Sequence, residues 1–145
     1  MTSILIIDDD ETFRKIVCRY LENEDLQVIE ADNGDEGLKI FTSMQPEIVL
    51  IDLVMPKKDG LTAIQEIVAM NPHTKIVAVS GGLVFLPYVY LDEARAVGSH
   101  FTLPKPFDRQ QLIHTIHAAC SANHCKIGEL PRRSEKHEIP QELNW

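Results

Sequence analysis

Apolar runs of strand length alternate along this chain with segments whose apolar positions recur every three or four residues. Residues 3–8 (SILIID) form a short, nearly continuous Ile/Leu run, the pattern of a strand covered on both faces. Phe13, Ile16, Val17, Tyr20 and Leu21 then fall at helical spacing and predict one apolar helix face, with Asp10 positioned to cap it. A weaker strand over residues 26–31 and a helix over 35–44, with Leu38 and Phe41 inward, come next. Residues 47–52 (EIVLID) repeat the first pattern, an apolar strand ending on a carboxylate. Leu61, Ile64, Ile67 and Val68 mark another amphipathic helix, and residues 75–80 (KIVAVS) a fourth strand. Pro87 opens a helix with Tyr90, Ala94 and Val97 inward and Gly98 as its stop. A short strand over 100–103 precedes a last helix over 108–122.

Strict alternation of strands and helices implies right-handed crossovers and an α/β, doubly wound parallel sheet with helices on both faces. Ligands of such sheets bind beyond the carboxyl ends of the strands. The first strand ends at Asp8 and Asp9, the third at Asp52, the fourth at Ser80, and the fifth is followed by Lys105. Three carboxylates, a hydroxyl and an ammonium are therefore expected on one edge. Pro104 cannot donate to a ladder and favours an edge position for the fifth strand.

Composition narrows the class. The 145 residues, 44% hydrophobic and 25% charged, suit one soluble globular domain with its own core. No apolar stretch reaches the length of a membrane span and no basic-then-apolar leader is present, so a cytoplasmic location is expected. Cys18, Cys120 and Cys125 lack zinc spacing and fit a reducing compartment. The formal net charge of −8 belongs to the body, because Lys126, Arg132, Arg133 and Lys136 offset Glu129, Glu135, Glu138 and Glu142 in the tail. An acidic body argues against direct nucleic-acid binding. Periodicity stops after Ala122, and residues 123–145, with Pro131, Pro140 and the mixed run RRSEKHE, read as a flexible tail or linker stub behind a domain of residues 1–122.

Adjacent carboxylates without a cation among them repel, so a chain that keeps them together has a cation to hold or a proton to manage. Hard oxygen donors without sulfur or imidazole suit Mg²⁺, with Asp9 and Asp52 as direct ligands and Asp8 as an acceptor orienting water. A carboxylate beside a divalent ion can also act as a nucleophile and form an acyl phosphate. Ser80 and Lys105 would then neutralise the oxygens of a transferred phosphoryl group. For Asp10, helix capping is the preferred role.

These residues resemble the response regulator receiver domain of two-component signalling over residues 3–121. The motifs that carry the resemblance are Asp8-Asp9, then DLVMPKKDG at 52–60, VSG at 79–81 and KPF at 105–107, in order and at strand ends. The resemblance implies a flavodoxin-like sheet of order 2-1-3-4-5. It implies that Asp52 accepts phosphate from a phosphohistidine of a histidine kinase or phosphotransfer protein. It further implies that the backbone carbonyl of Val54 joins the Mg²⁺ ligands and that the Lys105-Pro106 peptide is cis. The protein would then be a signalling phosphoacceptor whose phosphorylated form binds a downstream protein, not a turnover enzyme on an external substrate.

Two features depart from that family. Receivers usually carry Tyr or Phe three residues before the lysine, where this chain has Thr102. Phe101 is adjacent but, by strand alternation, should face the other way. The segment GGLVFLPYVYLDEARAV at 81–97 is longer than expected, and its Phe85, Tyr88 and Tyr90 either form a partner surface or cover the core. Output residues are thus sought among Ser80, Thr102, Phe101, Phe85, Tyr88 and Tyr90, with a homodimer as a further option. The alternatives are a phosphate-independent interaction module and a Mg²⁺-dependent phosphatase with an aspartyl nucleophile. That second class generally has an Asp two residues after the nucleophile, where this chain has Val54.

Overall fold

The computed structural model describes residues 1–55, 58–80 and 87–121, with the backbone alone over 87–91. Among these residues strands and helices alternate as β1 (Thr2–Ile7), α1 (Glu11–Leu21), β2 (Leu26–Ala31), α2 (Gly34–Met44), β3 (Ile48–Asp52), α3 (Gly60–Met70), β4 (Lys75–Ser80), α4 (Pro87–Val97), β5 (Phe101–Pro104) and α5 (Arg109–Ser121). The strands form one parallel sheet in the order β2-β1-β3-β4-β5. β5 lies at the edge, where Pro104 costs no ladder bond to a further strand.

The central strands are apolar at nearly every position because both faces of the sheet are covered. Leu5, Ile7, Val49, Ile51, Ile76 and Ala78 pack against Phe41 of α2, Ala63, Ile64 and Ile67 of α3 and Ala94 of α4. Ile4, Ile6, Ile48, Leu50, Val77, Val79 and Leu103 pack against Val17 and Leu21 of α1 and Leu112 and Ile116 of α5. Burying a Leu or Ile side chain in these layers contributes roughly 1.5–3 kcal/mol each.

Asp10 caps α1: one carboxylate oxygen accepts from the N–H groups of Thr12 and Phe13 at 2.9 and 3.2 Å. Asn33 and Asp59 cap α2 and α3, their side-chain oxygens accepting from the Glu36 and Thr62 N–H groups at 2.9 and 2.8 Å. α4 ends at Gly98, whose φ of +132° a side chain would resist. Gly60 opens α3 so close to the end of β3 that an added Cβ would stand 2.5 Å from the Asp52 carbonyl oxygen and 2.6 Å from the Leu53 Cα.

Ile16 corrects the helix-face expectation. It is 45% exposed, because the buried arc of α1 runs through Val17 and Leu21 with Phe13 and Tyr20 at its margins. β1 stops at Ile7, one residue short of the expected strand, although the Asp8 N–H still donates to the Ala31 carbonyl at 3.1 Å. Phe85 and residues 123–145 lie outside the described residues, as do the side chains of Tyr88 and Tyr90.

Candidate functional site

The site grows from the period-two rows of the sheet. On the α1–α5 face the row Ile4, Ile6 continues to Asp8, the row Ile48, Leu50 to Asp52, and the row Phe101, Leu103 to Lys105. Each row is apolar while it is covered and turns ionisable where it leaves the sheet at the carboxyl edge.

Asp8 and Asp52 are buried, at 1% and 8% exposure, and Asp9 is exposed. One carboxylate oxygen from each lies within 4.8 Å of the others. Lys105 sits between the buried pair, its Nζ 3.3 Å from Asp8 Oδ2 and 3.4 Å from Asp52 Oδ2. The remaining oxygens are held by backbone: Asp8 Oδ1 accepts from the Asp10 N–H at 2.8 Å, and Asp52 Oδ1 from the Val54 N–H at 3.1 Å. Burial pushes the Asp8 carboxyl up from its ordinary 3.8 to about 6, against the Asp10 N–H and Lys105, with Asp52 adding repulsion. Burial likewise raises Asp52, offset by Lys105 and the Val54 N–H.

The backbone around these groups is tied down. Lys105 N–H donates to the Ser80 carbonyl at 2.6 Å, and Leu53 N–H to the Val79 carbonyl at 2.9 Å. The Lys105-Pro106 peptide is cis. Ser80 is fully buried, and its hydroxyl has no hydrogen-bond partner among the described residues. Val54 directs its side chain outward, 43% exposed.

Three supporting side chains were not singled out as site residues from the sequence. Arg14 donates through Nη1 to the Asp8 carbonyl at 2.6 Å and through Nε to Glu30 at 3.0 Å, bracing the turn after β1. Lys58 reaches both Glu66 oxygens at 3.0 and 3.1 Å and Asp35 at 3.5 Å, tying the turn after β3 to α2 and α3. Phe13 lies under Lys105, whose Nζ is 3.9 Å from the ring centroid, and Phe107 meets Phe13 edge-on at 5.6 Å. The only signals available in the sequence were an ordinary apolar helix position and two ordinary surface cations.

Thr102 and Phe101 face opposite sides of β5. The Thr102 hydroxyl accepts from Arg95 Nη2 at 2.8 Å, and Arg95 Nη1 pairs with Asp92 at 2.9 Å. Phe101 packs with the α1–α5 layer. Cys18 and Cys120 are free, partly buried thiols.

A parallel sheet of this order with acidic and cationic groups at its carboxyl edge is a flavodoxin-like α/β unit carrying its charged site where such sheets bind ligands. Residues 4–117 match the sequence model of the response regulator receiver domain, and the chain belongs to that family. The chemotaxis protein CheY of Listeria monocytogenes is 30% identical over 124 residues, spanning 82% of this chain and 98% of that protein. The response regulator GacA of Pseudomonas viridiflava is 38% identical over 82 residues, covering 55% of this chain and 38% of GacA. The crystal structure of a response regulator receiver domain protein from Clostridium thermocellum superposes with a TM-score of 0.74 at 31% identity, covering 82% of this chain and 94% of that one. The same unit thus occurs nearly alone in some relatives and as a fraction of longer proteins in others. Among the described residues, no helix is long and apolar enough to cross a membrane.

Proposed function

We propose that Asp52 is the phosphoacceptor of this receiver and that Asp9, Asp52 and the Val54 carbonyl hold Mg²⁺, with Asp8 orienting water beside it. The observation that carries this reading is the convergence of three carboxylates within 4.8 Å around one lysine at the carboxyl edge of the sheet. The donor set fits the ion: all oxygen, two members buried, and the Asp8 carboxyl pushed up by that burial with the Asp52 charge beside it. When bound, Mg²⁺ neutralises charge on the oxygens of the transferred phosphoryl group.

The chain's own residues do the rest. An Asp52 carboxylate oxygen attacks phosphorus, the bond from phosphorus to the donor imidazole nitrogen breaks, and its electron pair leaves with that nitrogen. Burial makes the Asp52 carboxylate more basic than an exposed one, which favours it as a nucleophile. Lys105 shifts from the two carboxylates toward a phosphoryl oxygen, and the unpartnered Ser80 hydroxyl donates to another. The donor is a histidine kinase or phosphotransfer protein, and the phosphorylated form acts by binding a downstream protein. The polar tie from Arg95 to Thr102, on the strand where relatives of the family carry a ring, supports α4–β5–α5 as the output face. Residues 1–122 constitute the receiver unit, followed by a tail or linker.

Intact-mass measurement after incubation with acetyl phosphate tests the reading. One added phosphoryl mass that requires both Mg²⁺ and Asp52, and is absent in Asp52→Asn, is the expected result. No gain in mass, with Mg²⁺ binding measured separately, would favour a phosphate-independent interaction module instead.

A further inference from the structure

We infer that Phe13 is a positioning residue for Lys105, holding its ammonium by a cation–π contact in the gap between Asp8 and Asp52. The inference rests on the phosphoacceptor reading for its consequence, and on the geometry of the first turn of α1 for its substance.

The ammonium has two carboxylate neighbours, at 3.3 and 3.4 Å. Charge-assisted hydrogen bonds of this type close to about 2.7–2.9 Å when one partner dominates. Neither carboxylate has captured the lysine; it is balanced between them. What closes its third side is the face of Phe13, 3.9 Å from Nζ to the ring centroid, well inside the range in which a ring quadrupole attracts a cation.

The ring is itself held on two sides. Asp10 accepts from the Phe13 N–H at 3.2 Å and so fixes where α1 begins, and Phe107 meets the ring edge-on at an interplanar angle of 83°. Phe107 follows Lys105 by two residues, so both ends of the arrangement are anchored to the turn after β5. A ring attracts the ammonium without offering a lone pair. It therefore holds the lysine near the reacting oxygens and does not compete with a phosphoryl oxygen for its protons, as a third carboxylate would. Packing alone would make Phe13 one more apolar residue at the margin of the core, replaceable by Leu.

The test uses the full chain as wild type, Phe13→Leu and Phe13→Trp. The side-chain protons of Lys105, assigned by their loss in Lys105→Arg, are followed by NMR without metal, and phosphorylation by acetyl phosphate with Mg²⁺ is timed. Lys105 side-chain protons beside a ring face are expected upfield of those of the other lysines in wild type and Phe13→Trp, and to rejoin them in Phe13→Leu. Phosphorylation of Phe13→Leu should slow about three- to tenfold while Phe13→Trp stays near wild type. A melting temperature measured on each variant separates this from loss of fold. The inference is overturned if Lys105 resonates with the other lysines in wild type, or if Phe13→Leu is phosphorylated at the wild-type rate. If even the wild type takes no phosphate, the phosphoacceptor reading fails, and the Lys105 resonances alone decide the seating.

Discussion

If Asp52 is the phosphoacceptor, as proposed, single positions decide how long it keeps the phosphoryl group. An acyl phosphate is lost to water, and that water needs a polar group to orient it. Val54, two residues on, is 43% exposed and presents only methyl groups there. Its N–H is already committed to Asp52 Oδ1 at 3.1 Å, which leaves the side chain alone to influence solvent. The expected outcome is slow self-dephosphorylation of the proposed Asp52 acyl phosphate. Val54→Asn should speed decay of the phosphorylated form severalfold, followed by intact mass after removal of excess acetyl phosphate; unchanged decay would show that water is positioned from elsewhere. The same residue scale limited what could be read in advance. Asp8, Asp9, Asp52, Ser80 and Lys105 were legible because their chemistry is unusual at strand ends. Phe13 and Arg14 were not, since a helical Phe and a surface Arg look alike whether or not they touch a site.

At the scale of elements, the site is only as well placed as the turns that present it. The end of β3 is gripped from one side by the Leu53 to Val79 hydrogen bond and from the other by Gly60, whose N–H donates to the Leu53 carbonyl at 3.0 Å. Gly60→Ala would press a methyl group onto the Asp52 and Leu53 backbone at 2.5 and 2.6 Å, where no flexible side chain can yield. The expected cost is about 1–3 kcal/mol by urea denaturation, together with slower phosphorylation as Asp52 moves. A variant that kept both stability and rate would mean that the β3–α3 turn relaxes freely. Element order and type were readable from periodicity, because strands covered on both faces and amphipathic helices have distinct patterns. Ile16 escaped that reading: helical spacing marks an apolar arc but not its width, and α1 turns Ile16 to solvent at 45% exposure.

For the molecule as a whole, the buried carboxylates at the sheet edge are a cost of folding. The Asp8 carboxyl rises from 3.8 to about 6 on folding, so between those values the folded chain binds more protons than the unfolded one. In the absence of metal this group therefore contributes its full destabilisation above about pH 6 and progressively less as the pH falls through that window, opposite in sign to an ion-paired surface carboxylate. On the proposed reading, Mg²⁺ and the proton would compete for the same concentration of negative charge. At pH 8 and a Mg²⁺ concentration ten times its dissociation constant, the ion should stabilise the fold by about 1.4 kcal/mol. That corresponds to a melting temperature higher by about 3–6 °C for a chain of this length. At pH 5 Asp8 is mostly protonated, the effective affinity drops about tenfold, and the gain at the same Mg²⁺ concentration shrinks to about 0.4 kcal/mol. Asp52→Asn removes a ligand and should flatten the response at both pH values. Thermal melts of wild type and Asp52→Asn, with Mg²⁺ or with a chelator at each pH, measure this directly. Equal stabilisation at pH 5 and pH 8, or in the variant, would mean that the ion binds away from the Asp8, Asp9 and Asp52 cluster.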